Sequence, residues 1–208
     1  MEKSYLTAAR EGFGTYEEKK SVFYSFIAPI EDEEEALEYL KREKAKRDNI
    51  RHLCYAYINR TGNVVRFSDD GEPQGTAGMP ILEVLRREEL VGVVCGVSRY
   101  FGGILLGAGG LTRAYAKAAK LALDDAGKTL FVKYSDIRLT FEYSHLSKIR
   151  HELSLMKIPE LSCEFNALVT LGMLVSDKEA ELIRQKLADI TNGKAIIEKT
   201  GEKFAPER

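Results

Sequence analysis

The chain has 208 residues, 44% of them hydrophobic, which is enough for one large domain or two small domains with a real core. Its 31 Lys and Arg residues are balanced by 32 Asp and Glu residues, so the net charge is −1. This balance excludes a chain-wide basic field, and any nucleic-acid binding must come from a local patch.

Three cysteines, Cys54, Cys95 and Cys163, stand alone in apolar, strand-like runs, which predicts buried free thiols. Because no CxxC pair or His/Cys cluster occurs, we expect no metal and no cofactor. The sequence has neither a signal-like apolar region at its start nor an apolar run of membrane-spanning length. We therefore expect a cytoplasmic protein with no membrane partner.

The first part of the chain predicts a mixture of strands and helices. The strand candidates are Ser21–Ile30, the hairpin strands His52–Asn59 and Val64–Phe67, and the continuously apolar Leu90–Val97. The helix candidates are Glu31–Arg47, Thr76–Glu89 and Leu111–Ala126. Thr76 is a candidate cap for the second helix, although Pro80 favours a start nearer Met79. Gly127 is a candidate C-cap for the third helix.

The second part of the chain predicts the order β-α-β-β-α-β, which is typical of a ferredoxin-like domain. A strand at Asp136–Tyr143 and a helix at Ser144–Lys157 come first, and the helix has Leu146, Ile149, Leu153 and Met156 on one stripe. Two strands within Glu164–Val175, a helix at Asp177–Ile190 and a strand at Lys194–Thr200 follow. We place the two domains at residues 1–133 and 134–208, in an α+β fold.

The loop that precedes the second helix carries three carboxylates within four residues: Asp69, Asp70 and Glu72. Such a cluster is able to hold Mg²⁺ or to act as acid and base. The alternative is a structural turn, because Asp and Gly are common turn formers and an acidic residue before a helix often caps it. The residues alone leave both interpretations open.

A second glycine-rich loop follows the apolar strand and leads into the third helix. It does not match GxGxxG and contains no Gly-Lys-Ser/Thr, so the common nucleotide-binding motifs are excluded. An anion site remains open, with backbone N–H groups as donors and arginines as charge partners. The candidate binding residues are Arg99, Tyr100, Gly102, Gly103, Gly107, Gly109, Gly110 and Arg113.

Two other interpretations of the second loop also remain. Its glycines permit tight packing of helix on strand, with Arg113 paired to Asp69, Asp70 or Glu72. Alternatively, the apolar run from Phe101 to Leu106 is a patch that contacts a protein partner.

Residues outside the loops suggest less chemistry. His52 and Cys54 share one strand face, but neighbours two apart are not normally in contact, so we interpret them as structural. A basic run either extends an RNA-binding patch or forms a solvated helix face balanced by the acidic residues before it. This run consists of Lys41, Arg42, Lys44, Lys46, Arg47 and Arg51.

The two loops together resemble the Impact family, in particular its bacterial YigZ/YvyE-type members. The matching strings are DDGEPQGTAGMPIL at Asp69–Leu82 and VSRYFGGILLGAGGLTRAYAKAA at Val97–Ala119, with KKSVF near the start and HLCYAY at His52–Tyr57. The resemblance covers the whole chain. It implies an N-terminal βαβ-type domain like the second domain of a small-subunit ribosomal protein. It also implies a ferredoxin-like C-terminal domain like the last domains of elongation factor G.

The resemblance also bears on function. Both implied folds recur in proteins that contact RNA, and eukaryotic family members are translation regulators. The family supplies no catalytic residues to transfer, and we expect a binding protein rather than an enzyme. The leading hypothesis is a translation-associated protein that contacts RNA or a ribosomal surface. The alternative is an enzyme or binder of a phosphorylated ligand, with Mg²⁺ at Asp69, Asp70 and Glu72.

Overall fold

The computed structural model describes residues 4–46 and 52–208. The chain divides into two compact units: residues 5–130 form the N-terminal unit, and Ser4 with residues 131–208 forms the C-terminal unit. Both units combine helices with antiparallel strands, which confirms the α+β class. None of the helices in the described ranges is long and apolar enough to span a membrane.

An antiparallel sheet with strand order β2-β3-β6-β4-β5 forms the centre of the N-terminal unit. The strands of this unit are β1 (Tyr5–Ala8), β2 (Gly12–Glu18), β3 (Ser21–Pro29), β4 (Leu53–Ile58), β5 (Val65–Ser68) and β6 (Val93–Tyr100). In β6, residues 93–98 are all buried, because strands flank it on both sides and helices cover both faces. The predicted buried strand is thus confirmed, although it begins at Val93 rather than Leu90.

Helices α2 and α3 cover one face of this sheet, and α1 covers the other. The helices are α1 (Glu33–Ala45), α2 (Gly78–Arg87) and α3 (Ala108–Ala126). Alternate residues of β3 mark the two faces, since Phe23 joins the core under α2 and α3 whereas Phe26 joins the cluster under α1. The alanine-rich α3 lies very close to β2. A Cβ atom at Gly12 would stand only 2.5 Å from the carbonyl oxygen of Ala122.

The ends of these helices correct parts of the prediction. Helix α1 begins after Asp32, whose side chain accepts a hydrogen bond from the Glu35 amide, and Arg47 lies outside the described residues. Thr76 does not cap α2, because its hydroxyl donates to the carbonyl of Pro73. Gly127 does end α3, with a φ of 70° that suits glycine.

The C-terminal unit has the predicted order of elements, with strand order β10-β7-β9-β8 and every neighbouring pair antiparallel. Its elements are β7 (Lys128–Phe141), α4 (Leu146–Leu155), β8 (Glu160–Phe165), β9 (Val169–Ser176), α5 (Asp177–Thr191) and β10 (Ile196–Pro206). Ile149 and Leu153 of α4 pack with Ile183 and Leu187 of α5 in one core. This order and pairing are those of a ferredoxin-like fold.

The three cysteines are free. The predicted burial is confirmed for Cys54 and Cys95, whereas Cys163 is half-buried. Burial raises the pKa of both the Cys54 and the Cys95 thiols to about 12. These two side chains therefore behave as small core residues rather than nucleophiles.

Candidate functional site

Asp69 lies well before α2 in the sequence, but its side chain caps the N-terminus of that helix. Its Oδ1 accepts hydrogen bonds from the amides of Ala77 (3.0 Å) and Gly78 (2.8 Å), and its Oδ2 accepts one from the amide of Gly75 (2.8 Å). Both carboxylate oxygens therefore satisfy N–H groups at the start of a helix, where an anion is most stabilising. This contact is the structural role that the sequence left open.

Asp70 ties the same loop to β4. Its Oδ2 accepts a hydrogen bond from the Leu53 amide at 2.7 Å, and its carbonyl oxygen lies 2.5 Å from Nδ1 of His52. The thiol of Cys54 donates to the carbonyl of Asp69 at 2.9 Å. His52 and Cys54 each hold loop backbone, which agrees with their structural interpretation.

Glu72 points inward to a buried ion pair with Arg99. Nη1 of Arg99 lies 2.9 Å from Oε1 and 3.2 Å from Oε2 of Glu72, and the hydroxyl of Tyr115 donates to Oε1 at 2.9 Å. The two charged side chains are only 10% and 6% exposed. Burial raises the pKa of Tyr115, which keeps its hydroxyl a proton donor. Arg99, predicted as a charge partner for an anion, is thus neutralised by a carboxylate within the protein.

The three carboxylates of this loop do not converge on one point. Asp69 faces the start of α2, Asp70 faces β4, and Glu72 faces Arg99. Among the described residues, no group of His, Cys, Asp and Glu side chains is arranged to hold a metal ion. The geometry therefore gives no support to the magnesium hypothesis for this loop.

The second loop, residues 101–107, lies against the hairpin that joins β2 to β3. A Cβ atom at Gly102 would stand 2.0 Å from the backbone of Lys20, and the Gly102 amide donates to the hydroxyl of Ser21 at 3.2 Å. Gly103 and Gly107 have φ values of 81° and 70°, with open space where a side chain would be. Only glycine fits this path without strain.

Within the part of the chain that the structure describes, no side chain caps the N-terminus of α3. Its N-cap residue is Gly107, and its first turn contains no acidic residue. Gly109 and Gly110 lie in that turn, and a Cβ atom at Gly109 would stand 3.6 Å from Nη1 of Arg113. A cation so near the positive end of a helix dipole is unfavourable unless an anion is also present. Arg113 is exposed, and in the described structure it pairs with none of the three loop carboxylates.

Exposed aromatic and apolar side chains surround this helix end. Tyr100 is 58% exposed and Phe101 50%, and they are followed by the exposed Ile104 and Leu105. Because Val22 of β3 is opposite Tyr100 of β6, the β2–β3 hairpin lies beside these rings. We name the surface formed by residues 99–113 and the hairpin residues 19–20 the loop surface.

Sequence reasoning did not identify Lys19 and Lys20, which form the two-residue turn of this hairpin between the paired Glu18 and Ser21. Both lysines are exposed and have positive φ values, 46° and 65°, a conformation for which glycine or asparagine is preferred. Two consecutive lysines precede the predicted strand at Ser21. Because no strand is predicted before them, the sequence does not predict a hairpin there.

The basic run of α1 is largely neutralised within the N-terminal unit. Arg42 pairs with Glu11, and Lys46 pairs with the buried Glu43. Lys44 lies 4.0 Å from Asp70. Lys41 is exposed, and the remaining predicted members, Arg47 and Arg51, lie outside the described residues. These contacts favour the balanced helix face over an extension of a basic patch.

Each of the two units matches a known family model. Residues 19–123 match the family model of the Impact N-terminal domain, and residues 139–194 match that of a domain of unknown function, DUF1949. The chain is 35% identical to the IMPACT family member YvyE of Bacillus subtilis (strain 168), over 97% of this chain and 93% of that protein. It is 31% identical to the IMPACT family member YigZ of Escherichia coli (strain K12), over 92% and 95%.

A solved structure shares the fold. The crystal structure of a protein described as hypothetical has a TM-score of 0.63 and 29% sequence identity to this chain. The match covers 97% of this chain and 99% of the other.

Proposed function

The chain belongs to the Impact family, and from that premise we propose that it is a translation-associated protein that binds RNA through the loop surface. The single observation that supports this most strongly is the N-terminus of α3. Among the described residues no side chain caps it, its first turn contains no acidic residue, and the cation of Arg113 lies against that turn. A bound phosphate would accept hydrogen bonds from the free amides and would neutralise Arg113.

The surroundings of this helix end favour RNA over a small phosphorylated molecule. Tyr100 and Phe101 expose about half of their surface, and flat rings of this kind stack on unpaired bases. Lys19 and Lys20 add two exposed cations beside the rings. Sites for single-stranded RNA usually combine groups that bind phosphate with aromatic rings on which the bases stack.

The acidic loop has a supporting part in this proposal. Asp69, Asp70 and Glu72 each hold protein groups, so we assign them to the framework of the loop surface rather than to the ligand.

We also propose a cytoplasmic location, where RNA and ribosomes are present, and domain limits at residues 1–133 and 134–208.

The test is RNA binding measured across salt concentration with short single-stranded RNA and with isolated ribosomes. Phosphate contacts predict that the logarithm of the binding constant falls linearly with the logarithm of salt concentration. Arg113→Ala removes one contact and should flatten the slope by about 0.7, the value per phosphate for a single strand. Phe101→Ala should weaken binding by about tenfold with the slope unchanged, because stacking carries no charge.

Arg87→Ala is the matched control, since Arg87 is an exposed arginine in the last turn of α2. It should leave both affinity and slope unchanged. Equal binding by Arg113→Ala and the parent protein would remove the α3 N-terminus from the site. The proposal as a whole fails if neither RNA nor ribosomes bind in a salt-sensitive way. Salt-insensitive capture of a protein that is lost in Phe101→Ser would indicate instead a protein-docking surface.

A further inference from the structure

We propose that Glu72 and Arg99 are positioning residues of the loop surface, which fix the ring of Phe101 for stacking and do not themselves contact the ligand. This inference rests on the proposed RNA binding. The arginines of this loop would suggest that Arg99 holds a phosphate, but its buried contact with Glu72 assigns it another task.

The charge of Arg99 is already engaged. Its Nη1 lies within 3.2 Å of both oxygens of Glu72, and the two side chains are about nine-tenths buried. Releasing Arg99 to a phosphate would leave the Glu72 carboxylate buried without its cation, which is strongly unfavourable. The Tyr115 hydroxyl adds a second donor to the same carboxylate and so anchors Glu72 to α3.

The guanidinium of Arg99 lies close to two aromatic rings. Its central carbon is 5.5 Å from the centroid of Phe23, which is fully buried, and 5.2 Å from the centroid of Phe101, which is half exposed. Both distances lie within the range of a cation–π interaction. Arg99 therefore contacts both a core ring and the exposed ring, and so ties Phe101 to the core.

Gly102, the residue after Phe101, is linked to the guanidinium of Arg99 through Ser21. Nη2 of Arg99 lies 3.4 Å from the hydroxyl oxygen of Ser21, which also accepts the amide of Gly102 at 3.2 Å. Arg99 thus contacts the ring of Phe101 directly and the backbone that follows it through Ser21. Loss of Arg99 would free the ring while the exposed lysines and the α3 N-terminus stay in place.

The experiment uses a fluorescent reporter at the ring itself. The chain contains no tryptophan, so Phe101→Trp introduces a single indole whose acrylamide quenching measures how accessible the ring is. Glu72→Gln alone leaves the Arg99 charge buried and is expected to lower the melting temperature. The double variant Glu72→Gln/Arg99→Gln removes both charges and should recover much of that loss, because two amides can still bond to each other.

The expected result separates stability from positioning. The double variant, although stable, should quench more readily than the F101W reference, and without the reporter it should bind RNA about fivefold more weakly. Its salt slope should equal that of the parent protein, because no phosphate contact has been removed. The matched control is Glu160→Gln/Arg150→Gln, which removes an exposed two-bonded pair in the C-terminal unit and should change neither quenching nor affinity.

Three outcomes distinguish the possibilities. A stable double variant with parental quenching and parental RNA affinity would mean that the ion pair only stabilises the fold, and the inference would be wrong. A reduced salt slope would also overturn it, because Arg99 would then contact phosphate. Increased quenching in a protein that never binds RNA would support the positioning of Phe101 while rejecting the proposed function.

Discussion

The two glycine-bearing loops of the N-terminal unit have similar composition and opposite environments. In the first loop, residues 69–77, every carboxylate accepts hydrogen bonds from the protein itself. In the second loop, residues 101–107, the side chains of Phe101, Ile104 and Leu105 are exposed, and within the described residues the helix that follows has no side-chain cap. The difference shows that glycine content alone does not locate a binding site.

The distinguishing property is the presence of side-chain acceptors before each helix. Asp69 satisfies the first amides of α2, so that helix end has little left to offer a ligand. No Asp, Glu, Ser or Thr occurs between Phe101 and Leu111, so this segment offers no side-chain acceptor to the first amides of α3. An open, positively polarised helix end is therefore found in only one of these two loops.

The largest expected effect comes from removing the side-chain cap of α2, which leaves the start of α2 uncapped like the start of α3. Asp69→Ala removes an acceptor that holds three backbone N–H groups and should lower the free energy of unfolding by about 3 kcal/mol. Urea denaturation measures this change. The RNA salt slope should not change, because Asp69 is outside the proposed ligand contacts.

Asp69→Asn is the matched control, since its carbonyl oxygen can still accept from Ala77 and Gly78 while the bond from Gly75 is lost. Its loss of stability should be about half as large. If Asp69→Ala unfolds no more easily than Asp69→Asn, the carboxylate is not the cap of α2, and the contrast between the loops weakens.

Sequence reasoning located the elements that have periodic apolar residues and missed those shaped by close packing. The order β-α-β-β-α-β and the core positions Ile149 and Leu153 follow from helical spacing, and the structure confirms them. Strand β2 was missed because Gly12 and Gly14 resemble a turn. Their absent side chains are instead what allows α3 to lie against the strand.

The site was only partly predictable for a related reason. The sequence identified the two loops, but it left open which carboxylate meets which arginine. The partner of Glu72 is Arg99 rather than Arg113, because β6 brings Arg99 inward beside Phe23 while Arg113 lies on the exposed side of α3. Contacts between residues far apart in the chain are not encoded in local spacing, so only the fold reveals them.

Two neighbouring glycines provide the next test of the second loop. A methyl group at Gly102 would overlap the backbone of Lys20, so Gly102→Ala should cost about 2 kcal/mol of stability and displace the loop. Gly103 has open space around it but a φ of 81°, so Gly103→Ala should cost only about 1 kcal/mol. Thermal unfolding and RNA affinity should both rank Gly102→Ala as the more damaging change. The opposite rank would mean that backbone conformation, rather than contact with the hairpin, fixes the loop.

The smallest expected effect concerns the strained turn at Lys19 and Lys20. Replacing the pair by Asn-Gly suits two positive φ values and should raise the free energy of unfolding by about 1 kcal/mol. The same change removes two cations beside the aromatic rings, and it should flatten the RNA salt slope by about 1.4. Stability and binding are therefore expected to move in opposite directions, as they do where strain is kept at a functional site.

Lys19→Asn/Lys20→Arg is the control, because it keeps one of the two cations. Its RNA salt slope should flatten by only about half as much as that of the Asn-Gly variant. A more stable Asn-Gly variant with unchanged RNA binding would show that the hairpin lies outside the loop surface, leaving Arg113 and the α3 amides as its phosphate contacts.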